Sequence, residues 1–399
     1  MAMKNVVITQ ATRTAIGKLG GTLQDETVDY LATHVIEDVI KKSDLPPHLI
    51  EEVILGQAKQ SADASNLARV SALRAGIPAS VPSYTLHRQC GSGVQAMNSA
   101  AQQIQCGLSD IILAGGAESM STAPYYARNL RFGIKSGNEF LLDPNTESQP
   151  GSQPFEDYGK LTMGMTAENL AERYNISREE QDEFALSSQE RAKNAIANGY
   201  FEEEIVPYNV KKRKETIEFK VDEYPRDTTF EKLSTLNPAF KENGTVTAGN
   251  SSGRNDGASA LIIMSEEKAQ ELGKLPKARI VSQASAGVDP AYMGVGPVPA
   301  TQKALKQANL NINDIDIIEL NEAFSAQSLA VIKELNLDID KVNPNGGAVA
   351  FGHPIGATGA ILTTKLLHAL ERTGKRYGLV TLCIAGGMGI STVIENLQI

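Results

Sequence analysis

The sequence predicts an α/β fold made of two similar halves, and three observations carry that expectation. The first is composition: 41% of the 399 residues are apolar, 34 are glycine and none is tryptophan. That profile fits a tightly turned α/β chain whose core is built from Ala, Val, Ile and Leu. The second is an internal repeat. Residues 36–58, IEDVIKKSDLPPHLIEEVILGQA, and residues 301–323, TQKALKQANLNINDIDIIELNEA, overlay with a shift of 265, which sets Leu45 on Leu310, Ile50 on Ile315, Val53 on Ile318 and Leu55 on Leu320. The third is the pattern that comes after each copy: a glycine-rich turn that opens a helix, then a strand ending in Ala-Gly-Gly.

In chain order, each copy reads as a helix, a short turn and an apolar strand. The glycine-rich turn at Cys90 opens a helix expected to reach Cys106, followed by the strand Ile111 to Gly116; the turn at His353 opens a helix expected to reach Leu370, followed by Leu379 to Gly387. Between the halves, a polar run from Asp143 to Lys160 shows no clear period. It leads into helices expected over Thr166 to Tyr174 and Arg178 to Asn198, and then to the basic tetrad Lys211 to Lys214. This stretch reads as an inserted loop domain. After the glycine-rich run 247–257, the strand Ala258 to Met264 returns the chain to the first half. The expected division is residues 1–120 with 249–275 as one half, 121–248 as the insertion and 276–399 as the other half. Sheet packing on sheet would then bring together the turns that carry Cys90, Asn321, His353 and Cys383.

Composition also excludes function classes. A formal charge of -9 and a pI near 5.3 give an overall field that repels phosphate backbones, so no nucleic-acid partner is expected. Three cysteines, Cys90, Cys106 and Cys383, offer no disulfide framework, which fits a reducing compartment. The opening Met1 to Ile8 has one charge and a three-residue apolar run, too little for a signal-peptide core. No later stretch has the roughly eighteen apolar residues of a membrane span. A soluble cytoplasmic protein is expected, with no membrane partner.

The chemistry-bearing residues sit in the glycine frames. Cys90, in Arg88-Gln89-Cys90-Gly91-Ser92-Gly93, precedes a helix whose unpaired N–H groups favour a thiolate, which makes it a candidate nucleophile. His353, in Gly352-His353-Pro354, carries an imidazole whose ordinary pKa of about 6.5 lets it exchange protons near neutrality. Cys383 is a second thiol in a similar frame. Cys106, near the end of the helix that Cys90 opens, reads as a buried structural thiol, His87 as a structural turn residue, and His34, His48 and His368 as solvated or packed. Gly91-Ser92-Gly93-Val94-Gln95-Ala96 fits a dinucleotide fingerprint, but residues 85–90 hold two basic side chains and no clean apolar strand, and no acid comes after it at the right place. NAD binding is therefore not expected. No C-x-x-C or H-E-x-x-H motif occurs, so no metal site is expected.

Together these strings resemble the thiolases. The resemblance runs in order through Thr12-Arg13-Thr14-Ala15-Ile16-Gly17, Cys90-Gly91-Ser92-Gly93, residues 114–120, 163–169 and 245–250, then Asn321-Glu322-Ala323-Phe324, Gly352-His353-Pro354 and Cys383. It covers nearly the whole chain. It implies a five-layered α-β-α-β-α core of two similar halves, an inserted loop domain covering coenzyme A, a homodimer or homotetramer, and coenzyme A and acetyl-CoA as substrates with no permanently bound cofactor. By that resemblance, Cys90 attacks C3 of a 3-ketoacyl-CoA, Cys383 protonates the departing enolate, His353 moves the proton of Cys90 and of the incoming CoA thiol, and Asn321 holds a water at the enolate oxygen. A second oxyanion site is implied at the backbone N–H groups of Cys90 and Ala385. Ser252, Ala248, Met163, Phe240, Ala323 and Phe324 are the implied contacts to substrate, and Arg226 and Arg213 the implied contacts to its phosphate or adenine end.

Ala385 departs from the family's Cys-x-Gly-Gly-Gly string. Its Cβ requires ordinary backbone dihedrals there or a reshaped oxyanion site. A ketoacyl synthase is disfavoured because that relative generally has histidine where this chain has Cys383. A noncatalytic acyl-CoA or lipid binder would need neither both thiols nor His353, and a redox-sensing thiol protein would want its cysteines paired or exposed. Arg88-Gln89-Cys90 and Leu161-Thr162-Met163-Gly164 look closer to degradative, broad-range thiolases, with an acetoacetyl-CoA-specific biosynthetic enzyme as the alternative.

Overall fold

The computed structural model describes residues 3–399; Met1 and Ala2, where the opening segment begins, lie outside the described residues. Among the described residues twelve strands form: β1 (Val6–Arg13), β2 (Gly17–Lys18), β3 (Glu52–Gly56), β4 (Ser83–Leu86), β5 (Ile111–Ser119), β6 (Tyr208–Lys211), β7 (Thr216–Phe219), β8 (Asn255–Ser265), β9 (Ala278–Gly287), β10 (Ile317–Leu320), β11 (Tyr377–Ile384) and β12 (Met388–Asn396). β6 and β7 make a separate hairpin. The rest run in the order β10-β11-β12-β9-β1-β8-β5-β3-β4, with β2 on β8. Only two residue pairs, Val7 with Arg279 and Ile8 with Ala278, join β1 to β9, so the ladder divides there into two sheets. Apart from the added edge strand β4, their orders correspond: β3-β5-β8-β1 in one and β10-β11-β12-β9 in the other. Each begins with a parallel pair and continues antiparallel.

Seven helices position the site: α1 (Val28–Ser43), α2 (Ser92–Gln105), α3 (Met163–Arg173), α4 (Arg178–Ala197), α5 (Pro297–Ala308), α6 (Ser325–Leu335) and α7 (Thr358–Thr373). Side chains alternate across a strand, and that alternation sorts the core into layers. Ile111 and Leu113 of β5 and Ile262 and Met264 of β8 pack with Leu31, Val35 and Val39 of α1. Their neighbours Ile112, Ala114, Leu261 and Ile263 face the other way, onto Val94, Met97 and Ile104 of α2 and Leu362 and Leu366 of α7. Val380, Leu382, Ile390 and Ile394 close that same layer from the second sheet, whose outer face packs Leu379 and Val393 against Val298, Ala304 and Leu305 of α5. The result is five layers, α-β-α-β-α.

This corrects the expectation of sheet directly on sheet. Both faces of each sheet are apolar and both need covering, so α2 and α7 share the space between them. Their first turns cross at two glycines: a Cβ on Gly93 would lie 2.7 Å from the backbone N of Ala360, and one on Gly359 would lie 2.4 Å from the backbone N of Val94. That crossing draws together the turns that precede the two helices.

The segment before Cys90, where no clean apolar strand is expected, forms β4, which pairs in parallel with β3. Ser83 to Leu86 reads weakly because, as an edge strand, every residue is only half-buried. α3 starts three residues earlier than expected because the Thr162 hydroxyl caps it, accepting the N–H of Met165 at 3.3 Å. The aperiodic run 143–160 holds three short helical turns, the first two opened by Pro144 and Pro150. Cys106 is exposed, not buried as expected. It caps α2 where the chain turns through Gly107, past the reach of the helix's apolar stripe. No helix among the described residues is long and apolar enough to cross a membrane, and no group of three His, Cys, Asp or Glu residues among them could hold a metal ion.

Candidate active site

Cys90 lies in the tight turn between β4 and α2. Gln89 takes the left-handed conformation, with φ of +45°, an uncommon state for a residue with a Cβ. The turn is held by the N–H of Arg88 donating to Ser92 Oγ at 2.9 Å, the N–H of Ser92 donating to the Gln89 carbonyl at 3.0 Å, and Gln89 Nε2 donating to Ser152 Oγ at 3.0 Å. The Cys90 thiol is pushed up by burial; against this work the N–H of Ala385, which donates to the sulfur, and the charge of Lys59. The helix-start effect expected from sequence is thus outweighed by desolvation. One reason is that α2 begins two residues after Cys90.

His353 occupies the corresponding turn of the other half. Gly352 precedes it with φ of +95°, and a Cβ there would strike the Asn255 amide at 2.1 Å. The same amide accepts the His353 N–H at 3.0 Å. The ring's Nδ1 lies 2.6 Å from Thr358 Oγ1, whose hydroxyl donates to the Pro354 carbonyl at 2.9 Å. Since that hydroxyl proton is committed, Nδ1 must carry the donating proton. Nε2 is then a bare acceptor, and it has no protein partner. Burial, with a smaller contribution from the Lys59 ammonium, lowers the ring's pKa to about 4. At neutral pH the imidazole is a free base.

Cys383 is fully buried near the end of β11, and burial followed by the neighbouring Cys90 pushes its thiol far up, so it rests protonated. Ala385 keeps a negative φ, while Gly386 and Gly387 take φ of +87° and +79°. Alanine therefore fits its position without strain. Asn321 follows β10, its N–H donating to the Thr381 carbonyl at 3.0 Å. Its amide is buried with neither Oδ1 nor Nδ2 paired to protein.

A cavity of about 170 Å³ brings together Cys90, His353 and Ala385, whereas Cys383 and Asn321 are fully buried and are not part of its wall. Cys90, His353 and Ala385 line it together with Met163, Phe240, Ser252, Phe324 and Lys59. Phe240 and Phe324 meet edge to face, with ring centroids 5.9 Å apart, and the N–H of Ser252 donates to the Ala323 carbonyl at 3.0 Å. A larger hollow exists against α4 and Glu322, but it holds neither thiol nor imidazole.

Three supporting residues escape a reading of single motifs. Glu118 accepts the backbone N–H groups of Ala58, Lys59 and Gly356 at 2.9 to 3.0 Å. It thereby ties the end of β3 to the His353 turn. Its signal is a carboxylate inside a strand whose other residues are all buried and mostly small or apolar. Asn255 and Thr358 give no comparable signal.

Models of two families match this chain: "Thiolase, N-terminal domain" over residues 6–267 and "Thiolase, C-terminal domain" over residues 274–396. The chain belongs to the thiolase family. It is 48% identical over 399 residues to a probable acetyl-CoA acyltransferase of Staphylococcus epidermidis, covering all of both chains. The structure of the Bacillus anthracis acetyl-CoA acetyltransferase superposes with a TM-score of 0.96 at 49% identity, covering 99% of this chain and 100% of the other. That of human mitochondrial 3-ketoacyl-CoA thiolase in complex with CoA gives 0.94 at 44%, covering 99% of each. The chain is an acyltransferase of this family.

The contacts that the thiolase resemblance implied fall into two groups. Met163, Phe240, Ser252 and Phe324 line the cavity, while Ala323 lies just behind it, packed with Cys383. Ala248 is exposed and outside the wall. Arg213 stands in the exposed turn between β6 and β7. Arg226 is exposed and stacks on Tyr224, 5.1 Å from the ring centroid; a Cβ on the cavity-lining Gly253 would meet that ring at 2.5 Å.

Proposed function

We propose that this thiolase cleaves 3-ketoacyl-CoA through a Cys90 acyl-enzyme. The observation that carries the reading is one cavity bordered by a thiol, a bare imidazole Nε2 and an N–H aimed at the sulfur. His353 Nε2 takes the Cys90 proton and the sulfur attacks C3. The alkoxide collapses, the C2–C3 bond breaks, and its electron pair forms the enolate of acetyl-CoA. Cys383, protonated at rest, gives its proton to C2. The proton that His353 took from Cys90 passes to the Cys383 thiolate. The CoA thiol then gives its proton to His353 and attacks the acyl group, and Cys90 leaves and recovers that proton. The N–H groups of Cys90 and Ala385 stabilise the first alkoxide, where one such donor is typically worth about 3 to 4 kcal/mol. The unpartnered Asn321 amide suits a water held at the enolate oxygen.

Acetoacetyl-CoA belongs among the substrates. The alternative is an acetoacetyl-CoA-specific acetyl-CoA acetyltransferase. Residues 121–248 serve as the domain over CoA, and Arg226, beside the mouth at Tyr224, is a better placed phosphate contact than Arg213. A homodimer or homotetramer suits the free outer edge of β4 and the exposed Tyr125, Phe132, Ile134, Phe140 and Leu141. The cytoplasm, with its reduced thiols, is the proposed location, and fatty-acid metabolism the setting.

Loss of enolate absorbance would be followed for acetoacetyl-CoA and for a 3-ketoacyl-CoA of about ten carbons. Cleavage of both supports the broad-range enzyme, and cleavage of the shorter one alone supports the acetyltransferase. Cys90→Ser should lower turnover by about 10³-fold or more and abolish the acyl-enzyme. A variant that still incorporates labelled acetyl from acetyl-CoA would refute the assignment.

A further inference from the structure

Lys59 stands on the wall of the same cavity and has no part in the steps above. It comes after β3 on a rigid turn: its N–H and that of Ala58 donate to Glu118 at 3.0 Å, and Gln57 Nε2 donates to its carbonyl at 3.2 Å. The side chain is only 7% exposed. A buried ammonium is normally paired with a carboxylate, because desolvating a lone charge is costly. Here Nζ donates to the Ser148 hydroxyl, and among the described residues no carboxylate lies within 4.0 Å of it. Arg13 and Lys365, the other deeply buried cations of the core, both have such partners. The backbone N–H groups of its own turn already occupy both oxygens of Glu118, and Asp143 pairs with Arg254 at 3.5 Å.

We propose that Lys59, with Ser148, forms an anion subsite for the acyl group, selecting 3-ketoacyl-CoA substrates whose acyl chain ends in a carboxylate. The inference rests on the thiolase reading and names its substrate class. Lys59, Gln89, Cys90, Ser148 and Ser152 share one wall, and the Lys59 ammonium is near enough to pull the Cys90 thiol down against its burial, so the ammonium serves the reacting end of the substrate. The phosphates of CoA are held away from that end by the pantetheine arm and cannot be its partner. Glu118 and Asp143 act on the ammonium through charge without touching it, so a carboxylate in the acyl pocket would supply the contact partner that is missing and accept the remaining N–H donors. Sites built to pair a polar substrate group discriminate strongly against analogues that lack it.

The test compares kcat/KM for CoA-dependent cleavage of 3-ketohexanoyl-CoA with that of the six-carbon 3-ketoacyl-CoA bearing a terminal carboxylate, in wild type and Lys59→Met. Any general effect of the lysine on Cys90 or His353 divides out of the ratio between substrates. Wild type is expected to favour the carboxylate substrate by about tenfold or more, and Lys59→Met to abolish or invert that preference. Ser148→Ala, which keeps the charge, should reduce the preference only partly, and it reads the subsite should Lys59→Met not fold. Wild-type cleavage of the uncharged substrate with no preference for the charged one overturns the subsite and leaves the thiolase reading intact. A preference unchanged in Lys59→Met and Ser148→Ala also overturns it. Cleavage of neither, with acetoacetyl-CoA still cleaved, overturns the subsite and leaves the thiolase reading intact; cleavage of none of the three overturns both.

Discussion

The turn before α2 and the turn before α7 occupy equivalent places in two halves with matching strand order, yet they present opposite environments. At the first, Gln89 holds the left-handed conformation and Cys90 remains partly open to the cavity. At the second, Gly352 makes the turn and His353 is 6% exposed, fixed at its N–H by Asn255 and at Nδ1 by Thr358. The strands beyond these helices diverge as well: β5 carries Glu118, which braces backbone, where β11 carries Cys383. The two frames are similar, and the side chains around each give a partly open thiol in one and a buried, neutral imidazole in the other.

The largest difference between the halves is expected at β11. Cys383→Ala should leave self-acylation of Cys90 measurable while hydrogen exchange at the acetyl methyl falls by about 10³-fold. Exchange that persists in deuterated buffer would mean the second half does not supply that base.

A smaller effect concerns the burial of His353. Its folded pKa of about 4 lies below the unfolded value of about 6.5. Between those values the unfolded chain binds a proton that the folded protein does not. The stabilisation is therefore complete above pH 6.5 and lost as pH falls toward 4, by about 3 kcal/mol in all. Urea denaturation of wild type and His353→Gln across that window should show this extra slope in wild type alone, and parallel profiles would place the imidazole in a more solvated setting.

The smallest effect tests the crossing of the halves. Gly93→Ala and Gly359→Ala each set a methyl against the other helix's backbone, so each should cost about 1 to 3 kcal/mol. Because the separated turns carry Cys90 and His353, kcat should fall in both. Thermal unfolding with matched kinetics checks this, and an unaffected Gly359→Ala would show that the helices can part without harm.

Much of this was legible in the sequence because it depends on local pattern. The repeat that recurs after 265 residues, the glycine turns and the thiols and imidazole within them all lie in short contiguous strings. β4 was not legible, since an edge strand is only half-buried and lacks a clean apolar alternation. Nor was the exposure of Cys106, which depends on α2 ending where the chain bends away. Strand patterning alone left the central layer open, because an apolar strand reads the same whether a sheet or a helix covers it; the five-layered order came from the resemblance to the thiolases, and the structure has it.

The repeated α/β order and the candidate thiols and imidazole could be read along the chain, because hydrophobic period and residue chemistry are properties of neighbours in sequence. Only the tertiary structure decided that Nε2 of His353 is the bare nitrogen, that burial outweighs the helix start at Cys90, that Ala385 keeps an ordinary backbone and aims its N–H at the sulfur, and that Lys59 faces the cavity without a carboxylate. Each of those depends on groups brought together from distant parts of the chain, and it is their solvation and hydrogen bonding that set protonation and charge.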